Sequence, residues 1–194
     1  MFSLLVLSLT TPQIALDAGV ALTMDERRVV HNARILIDAS GNIESVARQS
    51  ESQIPDGYQH LSYPNSFVWP GGVDLHSHTQ TGGWGDINDM VHPDNPELRT
   101  LDTIRANNQL HKIGRAGGVT MVNAIPGSGT NISGAGTLVQ LVNSNRVEDV
   151  VYKFPGSVKV AQGYNPERGD DLGASRMGMW WMLRWYLDRA DAIA

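Results

Sequence analysis

The spacing of apolar residues changes near Gly72 and predicts two kinds of structure. Residues 20–70 carry short apolar runs that turn residues separate. Within them, residues 34–46 read as strand, turn and strand, which predicts a β-hairpin. Residues 66–69 are a further candidate strand, and Pro70-Gly71-Gly72 ends it. The pattern therefore predicts a small β-rich unit that closes at a Pro-Gly hinge.

Beyond Gly72, short apolar runs alternate with helical periodicity. The candidate strands are residues 73–78, 119–125, 150–154 and 158–161. The candidate helices are residues 101–115, 137–143 and 175–194. Strands that alternate with helices at this spacing predict βαβ units and a parallel sheet, so we expect an α/β fold here.

The composition of the chain limits the partners that it can bind and the residues that can form a metal site. The chain has 194 residues, a formal charge of −5 and no cysteine. Nucleic-acid binding is not expected, because no basic block is present to neutralise phosphates. Without cysteine, any metal ion must be held by His, by carboxylates or by a less usual ligand.

The first 19 residues leave two interpretations open. Residues 2–9 are apolar but too short to span a membrane, and they fit either the core of a signal peptide or an unstructured or buried segment. No Lys or Arg precedes Arg27, and no clean small-residue cleavage site is present. A cytoplasmic and an exported location therefore both remain open.

The stretch Val73-Asp74-Leu75-His76-Ser77-His78 carries the strongest chemical signal. Because side chains alternate along a strand, His76 and His78 point the same way. Two imidazoles in that position can bind one divalent ion such as zinc. An exposed polar loop would also explain the pair. Asp74 either orients an imidazole from behind or hydrogen-bonds the strand end.

Two further features are compatible with an active site. Lys159 lies within an apolar strand, where burying a charge needs a reason, although a lysine can also snorkel or pair with a carboxylate. The glycine-rich residues 126–131 include Gly127, Ser128 and Asn131. They favour a tight loop that lines the active site over an anion-binding cradle, because the ending of a P-loop is missing.

The histidine motif and several later segments of the sequence resemble a known family. Trp69-Pro70-Gly71-Gly72-Val73-Asp74-Leu75-His76-Ser77-His78 is similar to the P-G-x-x-D-x-H-x-H signature of the amidohydrolase superfamily. Residues 86–104, 116–129, 157–168 and 175–178 resemble segments of its imidazolonepropionase-related group. The resemblance runs from about residue 28 to residue 190.

The resemblance implies a fold and an activity. Residues 72–194 would be the first three or four βα units of a TIM-type (β/α)₈ barrel, which needs about 250 residues when complete. Residues 20–71 would be part of a small β-sandwich. The implied reaction is hydrolysis of a C–N bond in a small-molecule amide or cyclic amide by metal-activated water. The resemblance implies one or two zinc ions in the site, with Lys159 as a carboxylated bridge between two metals. It is also compatible with a homo-oligomer.

The same resemblance implies ligands that this sequence lacks. The family site takes two more histidines and a general-base aspartate from later strands, whereas the last histidine here is His111. Tyr164 stands where related sequences often carry an acidic residue. We therefore expect a fragment whose missing aspartate lies beyond the C-terminus and whose isolated chain has little hydrolase activity.

Two rival functions remain. Asp74-Leu75-His76-Ser77-His78-Thr79 is also similar to the opening of the polymerase-and-histidinol-phosphatase type of metallophosphoesterase. That family begins near its motif, whereas about seventy residues precede it here. The other rival is a non-catalytic remnant that folds only with a partner chain.

Overall fold

The structure, a computed structural model, describes residues 11–90, 92–167 and 174–193. The chain divides into two compact units, Met1–Pro70 and Gly71–Ala194. The described residues form two four-stranded sheets. The N-terminal segment predicted as a signal peptide or unstructured region lies mostly outside the described residues.

The first unit contains one mixed sheet in the order β3-β2-β1-β4. Its strands are β1 (Ile14–Leu22), β2 (Val29–Ile37), β3 (Ile43–Arg48) and β4 (Gln59–Val68). The predicted hairpin is confirmed, because β2 and β3 pair antiparallel. Small and β-branched residues of β1 and β2 form the core, namely Ala21, Val30, Ala33 and Ile35. Within the described residues this unit has one sheet, so the expected β-sandwich is not seen.

A buried ionic cluster crosses this sheet. Asp17 on β1 lies opposite Arg34 on β2. The Arg34 Nε and Nη2 atoms donate to the two carboxylate oxygens of Asp17 at 2.7 Å each. The His60 Nε2 atom lies 2.9 Å from Asp17 Oδ2. The Arg34 hydrogen bonds hold the pKa of Asp17 below its usual value, against the opposing effect of burial.

The second unit contains a sheet in the order β5-β6-β7-β8. Its strands are β5 (Gly72–Ser77), β6 (Val119–Ala124), β7 (Ile132–Gln140) and β8 (Val151–Val160). Its helices are α1 (Gln109–Ala116), α2 (Val147–Val150), α3 (Tyr164–Glu167) and α4 (Arg176–Ile193). The helix predicted over residues 175–194 is thus confirmed as α4.

The predicted run of βα units of a partial (β/α)₈ barrel is wrong for this sheet. Strands β5 and β6 are parallel with α1 between them, but β6, β7 and β8 pair antiparallel. The connection between Ala124 and Ile132 explains the change, because a parallel crossover takes about a dozen residues or more. Residues 137–143, predicted as a helix, lie largely in β7, and the two last candidate strands are one strand, β8.

The core of the second unit lies under β6 and β7. It is made of small and branched apolar residues, Ile104, Ala106, Val122, Ala124, Val139, Leu141 and Val150. Met179 and Met182 of α4 are also buried. Burial, together with the hydrogen bond that the Tyr186 hydroxyl donates to the Asp94 carboxylate, raises the pKa of Tyr186 to about 12. None of the helices within the described residues has the length and apolar character needed to cross a membrane.

The buried His111 of α1 predicts a pH-dependent stability. Burial lowers the pKa of His111 below 6.5, so the folded chain binds this proton less readily than the unfolded chain does. The free energy of unfolding should therefore fall as the pH drops below about 6.5, the unfolded value. Urea denaturation at several pH values measures the fall. The variant His111→Leu should show a weaker dependence, and an unchanged dependence would contradict the prediction.

Candidate metal site

The two motif histidines lie together at the carboxyl end of β5. Their ring centroids are 5.3 Å apart and their planes are nearly perpendicular, at 80°. His76 is exposed and His78 is half-buried, whereas Ser77 between them is buried on the other side of the strand. Two imidazoles bound to one zinc at roughly 2.1 Å and a tetrahedral angle would have centroids about 5 Å apart. The observed spacing therefore fits a shared ion.

The tautomer of His78 is fixed by the end of β6. The His78 Nδ1 atom lies 2.9 Å from the Ile125 carbonyl oxygen, so Nδ1 carries the proton and donates it. The Nε2 lone pair is then left for a metal ion, which is how ligand histidines are usually oriented. Asp74 does not supply this bond, because its Oδ1 accepts from the His76 backbone N–H at 3.0 Å.

The surroundings of His76 lower its pKa and so favour its neutral form, the form that can bind a metal ion. Partial desolvation lowers the pKa of His76, the positive charge of Lys159 lowers it further, and Asp74 opposes both effects. Lys159 on β8 therefore lies near enough to His76 on β5 to affect its pKa. Lys159 is half-buried, and burial lowers the pKa of its ammonium group as well. A larger neutral fraction of the amine follows, and the neutral amine is the form that can be carboxylated.

A buried polar turn holds the end of β5 and was missed by the sequence reasoning. Gln80 is 1% exposed, and its Oε1 accepts from the Thr79 hydroxyl at 2.7 Å and the Ser77 hydroxyl at 3.2 Å. Asn108 caps α1 through Leu110 N–H and donates from Nδ2 to the Thr79 carbonyl at 2.7 Å. The turn after His78 is thus tied to the start of α1. These contacts could not be predicted from the sequence, because polar residues are common in glycine-rich loops.

The glycine-rich loop, residues 126–131, docks on the long loop that follows β5. The Asn88 amide donates to the Gly127 carbonyl at 3.0 Å and accepts from Gly129 N–H at 3.1 Å. Gly127 N–H donates to Ile87 O, and Asn131 N–H donates to Pro93 O, each at 2.7 Å. Three N–H groups that an anion cradle would need are therefore engaged within the chain. Asn88 was not predicted from the sequence.

Gly127 leaves room for this docking, which gives a testable prediction. A Cβ atom on Gly127 would lie 2.1 Å from Asn88 Oδ1, and that oxygen is held by its bond to Gly129. Gly127→Ala should lower the free energy of unfolding by about 1–3 kcal/mol, as overpacking does. Gly163→Ala is the matched control, because its Cβ would meet nothing within 4 Å. Equal stability of the two variants in urea would refute the prediction.

Two neighbouring cavities are lined by four of the predicted site residues, whereas His76 and Asp74 line neither of them. His78, Gly127 and Ser128 line one cavity of about 530 Å³. Ser128 and Lys159 line a second cavity of about 310 Å³. Asn131 lies apart from both: it is 2% exposed, and its Nδ2 donates to the sulfur of Met182. A structural role for Asn131 follows.

The two imidazoles are suitable ligands for a borderline-soft divalent ion, but the set of candidate ligands is small. Imidazole nitrogen is a preferred ligand of zinc, and one of the two rings is already held in the required tautomer. No group of three or more His, Cys, Asp or Glu residues that could hold a metal ion occurs in the described part of the chain. The described site therefore offers two imidazoles, with Lys159 as the neighbouring candidate.

Comparison with known proteins identifies the class of fold. The chain has an amidohydrolase-like, hydrolase-type fold. It is similar to the crystal structure of an amidohydrolase from Thermotoga maritima MSB8, with a TM-score of 0.76 and 27% identity over 92% of this chain and 48% of that one. The chain thus spans about half the length of that protein. No family model and no curated protein matches the chain.

A second solved structure is similar over a shorter stretch. It is a proposed prolidase from Bifidobacterium longum, with 31% identity, a TM-score of 0.33, and coverage of 36% of this chain and 17% of that chain. The assignment of the fold rests on the Thermotoga protein.

Proposed function

We propose that this chain carries part of the metal site of a hydrolase that cleaves C–N bonds in non-peptide amides or cyclic amides. The observation that carries the proposal is the pair His76 and His78, with the His78 ring oriented by the Ile125 carbonyl. The similarity to an amidohydrolase supports the bond type. A zinc ion held there would lower the pKa of a bound water towards neutrality and polarise the substrate carbonyl.

The chain's own residues prepare this chemistry. His76 and His78 bind the ion in their neutral forms, which the lowered pKa of His76 favours near neutral pH. The Ile125 carbonyl holds the proton on His78 Nδ1, so the ring stays oriented. The cavity that His78 shares with Ile87 and Met90 gives the substrate an apolar wall.

Lys159 is proposed as a carboxylated lysine that adds an oxygen ligand and admits a second ion. Its half-buried amine with a lowered pKa supports this role. ¹³C NMR of the chain in ¹³C-bicarbonate should show a carbamate signal that is lost in Lys159→Gln. Lys153→Gln is the matched control, because Lys153 is exposed on the same strand. A signal that persists in Lys159→Gln would reject the carboxylation.

The reaction class is tested with two kinds of substrate. The zinc-loaded full chain is incubated with a panel of N-acyl amides and lactams, and separately with p-nitrophenyl phosphate. We expect slow, zinc-dependent amide cleavage that is lost in His76→Ala, because the described residues supply few ligands. Zinc-dependent release of phosphate without amide cleavage would instead support the metallophosphoesterase alternative.

A further inference from the structure

Two neighbouring cavities of the second unit share part of their walls. The cavity of about 530 Å³ contains His78, and the cavity of about 310 Å³ contains Gln162. Ser128 and Asn165 line both cavities. A ligand that lies in the smaller cavity can therefore extend past Ser128 towards His78.

Gln162 lies directly after β8 and carries an unused amide. Its Oε1 and Nε2 atoms are both shielded from water, and neither has a hydrogen-bond partner. A buried donor or acceptor without a partner costs free energy, and native structures contain few of them. The residue as a whole is only partly buried and lines the smaller cavity, so a change of side-chain rotamer would present its amide to a ligand there. The unsatisfied donor and acceptor indicate a ligand that supplies both partners.

The walls of the two cavities restrict the chemistry of that ligand. Among the described lining residues there is no carboxylate, and Lys159 is the charged side chain. Carboxylation would convert the Lys159 ammonium into a carbamate anion; the other polar side chains of the two walls are the His78 imidazole, the Ser128 and Tyr164 hydroxyls and the amides. Neutral polar groups of this kind recognise a neutral ligand by paired hydrogen bonds.

We infer that Gln162 is a specificity-determining residue that binds an amide edge of the substrate. Such an edge has a C=O and an N–H side by side, as in a primary amide or a lactam. The Gln162 Nε2–H donates to the ligand carbonyl, and Oε1 accepts from the ligand N–H. The inference rests on the proposed function, because the edge recognised here is separate from the bond that is cleaved near His76 and His78.

The test uses the zinc-free full chain and measures binding alone. The side-chain amide signals of Gln162 are followed by NMR during titration with 2-pyrrolidinone, cyclopentanone and N-methyl-2-pyrrolidinone. The lactam should shift these signals, and the two analogues without an N–H should bind about tenfold more weakly or worse, as expected for one lost hydrogen bond. Gln162→Met should weaken lactam binding by a similar or larger factor. Gln53→Met, exposed in the first unit, is the control and should bind normally.

Three results with the lactam would overturn the inference. They are absence of lactam binding, equal binding of 2-pyrrolidinone and cyclopentanone, and unchanged lactam affinity in folded Gln162→Met. Acetate bound in preference to the lactam would likewise overturn it and indicate an anion site at Lys159. Because zinc is absent and no bond is cleaved, these outcomes are independent of metal binding by His76 and His78, which is measured separately.

Discussion

Zinc affinity of the full chain should fall at least about 100-fold when His78 is replaced by alanine. Loss of a bond that merely orients a metal ligand costs about 10–100-fold, and loss of the ligand itself should cost more. His76→Ala should have a comparable effect, because the two rings are spaced for one ion. Competition titration with a chromophoric zinc chelator measures both values.

The control for this prediction is His92→Ala. His92 is exposed in the long loop after β5, so its removal should leave the zinc affinity unchanged. If His92→Ala weakened zinc binding as much as His78→Ala does, the metal would be held elsewhere. Circular dichroism of each variant shows that the chain is still folded.

The second large effect is expected in the first unit. Asp17→Ala should lower the free energy of unfolding by about 3–5 kcal/mol, the cost of breaking a buried ion pair from one side. The side chains of Asp17 and Arg34 are 7% and 12% exposed, so the guanidinium would lose its bidentate partner while it remains buried. Urea denaturation of the full chain, monitored by circular dichroism, measures the loss of unfolding free energy.

Asp25→Ala provides a matched control for the buried pair. Asp25 pairs with Arg27, but their side chains are 43% and 50% exposed, and exposed pairs contribute about 0–1 kcal/mol. The double variant Asp17→Leu with Arg34→Met should recover much of the loss, because it removes both buried charges. Equal stability of Asp17→Ala and Asp25→Ala would contradict the account of this cluster.

The sequence was informative where local pattern and chemistry coincide. The hairpin of β2 and β3 was predicted from a turn between two apolar runs, and α4 was predicted from a long helical segment. The placement of His76 and His78 on one side of Ser77 follows from the alternation of side chains in a strand.

The sequence failed where short apolar runs fit two structures equally well. Residues 137–143 fit a helix or a strand by periodicity, and the short glycine-rich connection before β7 decides in favour of an antiparallel strand. Gly134 in this strand has φ +105°, and a Cβ atom there would lie 2.4 Å from the Leu98 carbonyl oxygen. Such close approaches depend on residues far apart in the chain, so a local pattern does not reveal them.

The roles of amides in the site were also beyond the sequence. Asn88 hydrogen-bonds the glycine-rich loop and Gln162 lines a cavity, yet in the sequence both are ordinary polar residues in polar loops. Of the two roles that the sequence left open for Asp74, the structure shows the hydrogen bond at the strand end, and the carbonyl of Ile125 takes the orienting role. These assignments depend on tertiary contacts between β5, β6 and the loops that follow them.

His76 and His78 are proposed to bind one metal ion through neutral imidazoles. Long-range ¹H–¹⁵N NMR of the imidazole nitrogens during a zinc titration tests this proposal most directly. We expect one equivalent of zinc to shift a nitrogen of both rings, and His78 to shift at Nε2 while Nδ1 keeps its proton and its bond to Ile125 O. Zinc that leaves both rings unchanged, or that displaces the proton from His78 Nδ1, would contradict the account.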